Sequence, residues 1–165
     1  MRKQIEQNNE QSKQHSTHEF YKVSEIKLSY ATKFKASERP QIKSSESAYQ
    51  IFKSVWGDDI GFVEEFKILL LNRANRVLGI VDISKGGVAG TVVDAKVIFS
   101  AAILSACSSI LLCHNHPSGN NRPSQADLDI TKKIKNAGKF LDIAVLDHLI
   151  LTPEGYYSMA DNGVF

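Results

Sequence analysis

The chain has 165 residues, of which 42% are hydrophobic and 23% charged, values typical of one globular domain with a modest tail. A formal net charge of +2 is near balance, so composition gives little support to a nucleic-acid or membrane partner. The N-terminus lacks an apolar signal-peptide core and no apolar run approaches the ~18 residues of a membrane span. We therefore expect a cytoplasmic protein without membrane association. The sequence does not indicate its oligomeric state.

The N-terminal part is expected to add little to the core. Residues 1–20 are rich in Gln, Asn, Ser, Lys and His, which predicts a disordered polar tail, and His15 and His18 within it are interpreted as solvated. Residues 21–43 are an extension. In its first ten residues apolar positions alternate in two pieces whose phase slips near Glu25, which predicts an edge strand.

Helical and strand-like patterns then alternate. Ser44 or Ser45 begins a predicted helix, SESAYQIFKSVW, that stops at residues 57–59. Its apolar residues at helical spacing are Ala48, Ile51, Phe52 and Val55. Two apolar runs, EFKILLLN and RVLGIVDIS, predict a β-hairpin buried on both faces near its centre. Residues 85–91 are rich in glycine but lack the ending of a phosphate loop, so they are interpreted as a turn.

The C-terminal half continues the alternation. We predict a helix over residues 94–106, an apolar strand over 108–113, a helix from Ser124 to about Ala137 ended by Gly138, a strand over 140–151, a turn over 153–155 and a short last strand. Because helices and strands are interleaved and the hairpin is antiparallel, the sequence predicts an α/β fold, a mixed β-sheet with flanking helices.

Two histidines stand where the strand SSILLC ends. Side chains two apart project from the same side of an extended chain, so His114 and His116 can converge while Asn115 points away. Two imidazoles at a strand end are good zinc ligands, and a third protein ligand leaves one position for water. Asp127, in the first turn of the next helix, is the best third ligand, whereas Asp129 would point elsewhere.

Each of these residues also has a structural interpretation. Ser124 and Asp127 fit a capping box, a role compatible with metal binding. Cys113 and Cys107 lie in or beside apolar runs and are read as buried, reduced core thiols. His148 shares strand parity with apolar neighbours, so it is either a packed histidine or a second-shell partner of the metal site.

At these residues the sequence resembles a known family. His114-Asn115-His116, seven residues, then Ser124-Gln125-Ala126-Asp127 matches the JAMM motif at every defined position. The longer string HNHPSGNNRPSQADLDITKKIKNAG, followed by LDHLIL, is similar to the RadC branch of that class. The resemblance covers residues 44–165 and implies a JAB/MPN, cytidine-deaminase-like metalloprotease architecture.

The resemblance also implies a mechanism. It assigns Zn²⁺ to His114, His116 and Asp127, and the substrate would be a peptide or isopeptide amide. A glutamate two residues before a phenylalanine would be the general base, which nominates Glu64 with Glu65 as its rival. By analogy, the Ser124 hydroxyl would donate to the oxyanion.

The alternatives to amide hydrolysis are a DNA-associated module, a nucleobase deaminase and a non-catalytic scaffold. A DNA-repair or DNA-binding module with a vestigial metal site is the main alternative, weakly supported by the net charge. A zinc nucleobase deaminase would need His-x-Glu and Pro-Cys-x-x-Cys, which do not occur. A non-catalytic scaffold would typically have lost ligand residues. The first 43 residues and the helix DAKVIFSAAI, which lacks Pro-Arg-Glu, depart from longer RadC proteins and suggest a short bacterial form.

Overall fold

A computed structural model describes residues 34–86 and 91–165, together with residues 24, 27 and 29–31. The predicted tail, including His15 and His18, lies outside the described residues, as do most of the predicted edge strand and residues 87–90 of the glycine-rich connection. Within the described part of the chain, no helix is long and apolar enough to cross a membrane.

The described residues form one mixed sheet with helices against it. The helices are α1 (Ser45–Trp56), α2 (Ala95–Leu104) and α3 (Gln125–Phe140), and the strands are β1 (Glu65–Leu71), β2 (Val77–Lys85), β3 (Ser109–Asn115), β4 (Ala144–Thr152) and β5 (Gly155–Ser158). The strand order is β2-β1-β3-β4-β5, with β3 and β4 parallel and the other pairs antiparallel. The predicted α/β fold with a mixed sheet is confirmed.

The sheet carries a hydrophobic core on each face. Along β1, Leu69 and Leu71 contribute to the core beneath α1, while Ile68 and Leu70 contribute to the core with α2 and α3. β1 and β3 are buried throughout, because they lie inside the sheet with helices on both sides. The prediction of a hairpin buried on both faces therefore holds for β1 but not for β2, an edge strand that is mostly half-buried.

Helix α1 begins as predicted, with the Ser44 side chain accepting from the Ser47 backbone N–H. Ala48 and Phe52 are buried as predicted, but the rest of the buried face differs from the predicted one. Val55 is 47% exposed, whereas Tyr49 and Trp56 are buried. Tyr49 stacks on Tyr156 with ring centroids 4.4 Å apart, so an aromatic contact from β5 adds to the burial of this side of the helix.

Gly138 does not end the third helix, as the sequence predicted, because α3 continues to Phe140. A Cβ at Gly138 would lie 2.4 Å from the Ile143 carbonyl oxygen, so glycine is required by a close approach of the chain after it reverses. The reversal passes through Asp142, whose φ is +55°, and it occupies residues that were predicted to begin the next strand. β4 accordingly begins at Ala144.

Candidate metal centre

The three predicted metal ligands meet at the C-terminal end of β3, the central strand of the sheet. His114 is the penultimate residue of β3 and His116 follows the strand, so both side chains project to the same side. Asp127 is the third residue of α3. One potential ligand atom from each of these side chains lies within 4.8 Å of the others, which makes them a group that could hold a metal ion.

The contacts among them are close. The Nε2 atoms of His114 and His116 are 2.9 Å apart. Asp127 Oδ1 lies 3.3 Å from His114 Nε2, and Asp127 Oδ2 lies 3.5 Å from His116 Nε2. His114 is 1% exposed, while the other two are half-buried, so the cluster opens to solvent on the side of His116 and Asp127.

The hydrogen bond made by His116 indicates that the cluster is suited to bind a cation. His116 Nδ1 lies 2.6 Å from the carbonyl oxygen of Asn120, and since a carbonyl only accepts, this nitrogen carries the proton of the neutral ring. In the neutral ring the lone pair of His116 is therefore on Nε2, which faces His114 Nε2 and the Asp127 carboxylate. Acceptor atoms that converge in this way repel one another unless a proton or metal ion lies between them.

Electrostatics favour the ionised form of the carboxylate. Burial by itself would raise the pKa of Asp127, but contacts with His114 and His116 bring that pKa far below its ordinary range. Conversely, the contact with Asp127 raises the pKa of His116 above its ordinary value although burial acts in the opposite direction. Asp127 is thus present as the anionic ligand form throughout the physiological pH range.

Ser124 acts both as a helix cap and as a partner of the carboxylate. Its side chain accepts from the Asp127 N–H, while its own N–H and Oγ–H each donate to Asp127 Oδ2 at 2.7 Å. These bonds hold Asp127 Oδ2 and leave Oδ1 facing His114. The Ser124 hydroxyl proton is committed to Asp127, so the predicted donation to an oxyanion would require this hydroxyl to turn away.

Asn115 contributes in a way that the sequence analysis missed. Its side chain points away from the ligands, as predicted, and is fully buried. Oδ1 accepts from the Glu65 N–H at 2.7 Å, and Nδ2 donates to the carbonyls of Ile60 and Val63 at 2.7 and 2.8 Å. Asn115 thereby fixes the segment that leads into β1 and carries Glu64. A buried amide between two ligands was the available signal.

The two candidate general bases have different surroundings. Glu65 is buried and forms ion pairs of 2.7 Å with Lys67 and with Lys85. Glu64 is half-buried, and its charge contributes to the raised pKa of His116. The antiparallel register pairs Phe66 with His114, so the same alignment continued by two residues leads Glu64 toward His116. Register and charge therefore favour Glu64 over Glu65 as the carboxylate nearer to the metal cluster, by which we mean the candidate ligands His114, His116 and Asp127.

We expect Glu65→Gln to lower the free energy of unfolding by about 2 kcal/mol at neutral pH, because it removes charged hydrogen bonds to Lys67 and Lys85. Burial alone would raise the pKa of Glu65, but those lysines bring it below its ordinary 4.5. A carboxylate whose pKa is lowered in the folded state contributes stability that is fully present above the pKa of the unfolded state. This stability is lost as the pH falls through the pKa of the folded state.

Urea denaturation of wild type and Glu65→Gln at neutral pH, and again below pH 4.5, measures this difference. The gap between the two proteins should shrink in acid. Glu154→Gln, at an exposed position in the turn before β5, is the control and should remain as stable as wild type. Equal stability of wild type and Glu65→Gln at neutral pH would contradict the structural role of this carboxylate.

The remaining candidates lie where the sequence analysis expected. Cys113 is fully buried in the core beneath α1, on the opposite face from His114, and Cys107 is buried in the other core. Burial raises the pKa of both thiols, so neither is a reactive thiolate.

Asp129 is exposed and accepts from Gln125. His148 is fully buried, with Nε2 2.8 Å from His114 Nδ1, and so contacts a predicted ligand directly.

Known proteins resemble this chain over most of its described part. The profile of a family described as the RadC-like JAB domain matches residues 42–164. A UPF0758 protein of Flavobacterium johnsoniae is 47% identical over 125 residues, which cover 76% of this chain and 54% of that protein. Another, from Clostridium perfringens, is 34% identical over 134 residues, or 80% of this chain and 58% of the relative.

A third UPF0758 protein, from Porphyromonas gingivalis, is 39% identical over 102 residues, or 61% of this chain and 45% of that protein. The chain spans about half the length of the curated relatives it matches. The family profile, over residues 42–164, spans the candidate ligands and both cores, and the similarity to each relative concerns one part of that protein.

Proposed function

The chain belongs to the RadC-like JAB domain family, and from that membership we propose that it is a zinc-dependent hydrolase that cleaves a peptide or isopeptide amide bond. The observation that carries the proposal is the convergence of two imidazole nitrogens and an ionised carboxylate at one partly open point. The register of β1 directs a second carboxylate, Glu64, toward the same side, and its charge contributes to the raised pKa of His116. A ligand group next to a potential base is the arrangement that metal-assisted hydrolysis requires.

The donor set favours zinc. Two neutral imidazoles and one carboxylate are ligands of catalytic zinc sites, in which three protein ligands leave a position for water. The half-buried side of the cluster provides such an opening. When bound, a zinc ion would supply a Lewis acid that lowers the pKa of water toward about 7 and polarises the amide carbonyl.

The protein's own residues account for the proton transfers and the orientation. The Glu64 carboxylate would accept the proton of the attacking water and deliver it to the nitrogen of the leaving amine. Asp127 stays ionised and is held by Ser124. His116 is held through its Nδ1–H on the Asn120 carbonyl, which ties the loop between the ligands to the site. The Ser124 hydroxyl could then turn from Asp127 to the developing oxyanion.

The direct test is hydrolysis of a panel of peptide and isopeptide-linked substrates by the whole chain. We expect cleavage with one zinc per chain, loss of cleavage after chelation, and recovery when zinc is restored. A protein that binds zinc but cleaves no member of the panel would count against the proposal. Salt-dependent affinity for DNA in that protein would favour the alternative, a DNA-binding module with a structural metal site.

A further inference from the structure

A buried chain of hydrogen bonds leads from α3 through β4 to the metal cluster. Thr131 Oγ1 is 2.5 Å from the Asp127 carbonyl oxygen and 2.6 Å from His148 Nδ1. His148 Nε2 is in turn 2.8 Å from His114 Nδ1. Thr131, His148 and His114 are 4%, 0% and 1% exposed, respectively. We refer to these three residues as the buried relay.

The chemistry of each atom fixes the direction of the protons. A carbonyl only accepts, so the single hydroxyl proton of Thr131 is donated to the backbone carbonyl oxygen of Asp127. At 2.5 Å this oxygen is a better acceptor than the Met159 sulfur at 3.7 Å. The Thr131 oxygen must then accept from His148 Nδ1–H. With its proton on Nδ1, a neutral His148 accepts at Nε2 from His114 Nδ1–H, and this leaves the lone pair of His114 on Nε2.

We propose that Thr131 is a positioning residue that, through His148, keeps the proton of His114 on Nδ1 and so presents His114 Nε2 as a metal donor. The reverse arrangement of protons would prevent metal binding. If the Thr131 proton pointed to His148, then His148 would donate to His114 Nδ1. The proton of a neutral His114 would then lie on Nε2, among the ligand atoms, where it would block the metal.

The same hydroxyl connects two of the ligands. Thr131 donates to the backbone of Asp127, and the relay that it begins ends at His114, whose Nε2 lies 3.3 Å from Asp127 Oδ1. The contacts therefore close a ring through α3, β4 and β3. This ring holds a ligand on the helix against a ligand on the strand, which is the preorganisation that tight metal binding needs.

Phe66 closes this ring from the sheet side. Its ring lies parallel to that of His114 with centroids 6.1 Å apart, and it forms a T-shaped contact with His148 with centroids 5.3 Å apart. With His148 fully buried, solvent cannot replace the Thr131 oxygen as the acceptor of the Nδ1 proton. Removal of the hydroxyl would therefore leave a buried N–H without a hydrogen-bond acceptor. A histidine on the surface avoids this desolvation penalty because water can accept its proton.

The first test needs neither metal nor activity. In the metal-free wild type, ¹⁵N NMR of the histidine rings should show His148 with its proton on Nδ1. A His148 that carries its proton on Nε2 would overturn the proposal. This measurement also decides the matter if substitutions at Thr131 prevent folding.

The second test is zinc affinity, measured by competition with a chromophoric chelator, for Thr131→Val and Thr131→Ser. Valine keeps the shape and removes the hydroxyl, so we expect about 10- to 100-fold weaker binding, while serine should stay close to wild type. Ser105→Ala removes another buried hydroxyl, at the end of α2, and should have no effect on zinc.

Wild-type affinity in Thr131→Val, or equal losses in the valine and serine variants, would overturn the role of the hydroxyl. The inference rests on the proposed function only for the metal. A wild type that binds no zinc would defeat the proposed function, and the protonated nitrogen of His148 would still decide whether Thr131 orients the relay.

Discussion

Asp127→Asn is expected to weaken zinc binding by more than about 100-fold, since loss of an outer-shell partner alone costs about 10- to 100-fold. The asparagine keeps the size of the side chain but removes the charge that lies 3.3 Å and 3.5 Å from the two imidazole nitrogens. His116→Ala should have a comparable effect because it removes a ligand atom outright. The measurement is zinc per chain in the purified protein, followed by chelator competition.

Asp129→Asn provides the matched control, because it makes the same substitution two residues later on the exposed side of α3. It should bind one zinc per chain with wild-type affinity. Circular dichroism of all variants would separate loss of a ligand from loss of the fold. If Asp127→Asn binds zinc as tightly as wild type, this carboxylate is a helix cap and the third ligand lies elsewhere.

Local sequence patterns were enough to predict the cluster, because its three residues lie close together in the chain. His114 and His116 follow from the side-chain period of a strand, and Asp127 from the first turn of a helix. Both inferences need only the secondary structure on either side of one loop. Ser124 could likewise be placed, because a capping box is a local pattern.

The features that the sequence analysis missed depend on distant partners. Gly138 has the form of a helix-ending glycine, and the carbonyl that excludes a side chain there belongs to the following turn. β2 was predicted to be as buried as β1, because strand order cannot be read from either strand alone. Thr131 has nothing unusual around it in sequence. Its partner His148 is 17 residues away, and His148 lies 34 residues from His114.

Glu64 and Glu65 illustrate the same limit at single-residue resolution. Adjacent residues on a strand face opposite sides, so an error of one position in register exchanges their roles. The sequence contains two neighbouring glutamates and does not choose between them without the resemblance. The ion pairs of Glu65 with Lys67 and Lys85 assign it a structural role, and they favour Glu64, whose charge contributes to the raised pKa of His116, as the candidate base.

Glu64→Gln is expected to reduce kcat for amide hydrolysis by about 10²- to 10⁴-fold, the usual contribution of a general base, while zinc affinity changes little. Glutamine keeps the shape of the side chain but cannot accept the proton of water. The variant should still bind one zinc per chain, because Glu64 is not among the predicted ligands. Steady-state kinetics with a zinc-loaded enzyme and a cleavable peptide would measure kcat, and chelator competition would measure the zinc affinity.

Glu65→Gln is the neighbouring control for the same chemistry. It removes a carboxylate one residue away that is paired with lysines, so folded Glu65→Gln should retain kcat and zinc while losing stability. The opposite outcome, with full hydrolysis by zinc-loaded Glu64→Gln and a selective loss of kcat in Glu65→Gln, would transfer the base to Glu65. Full activity in both variants would mean that a group other than these two carboxylates takes the proton.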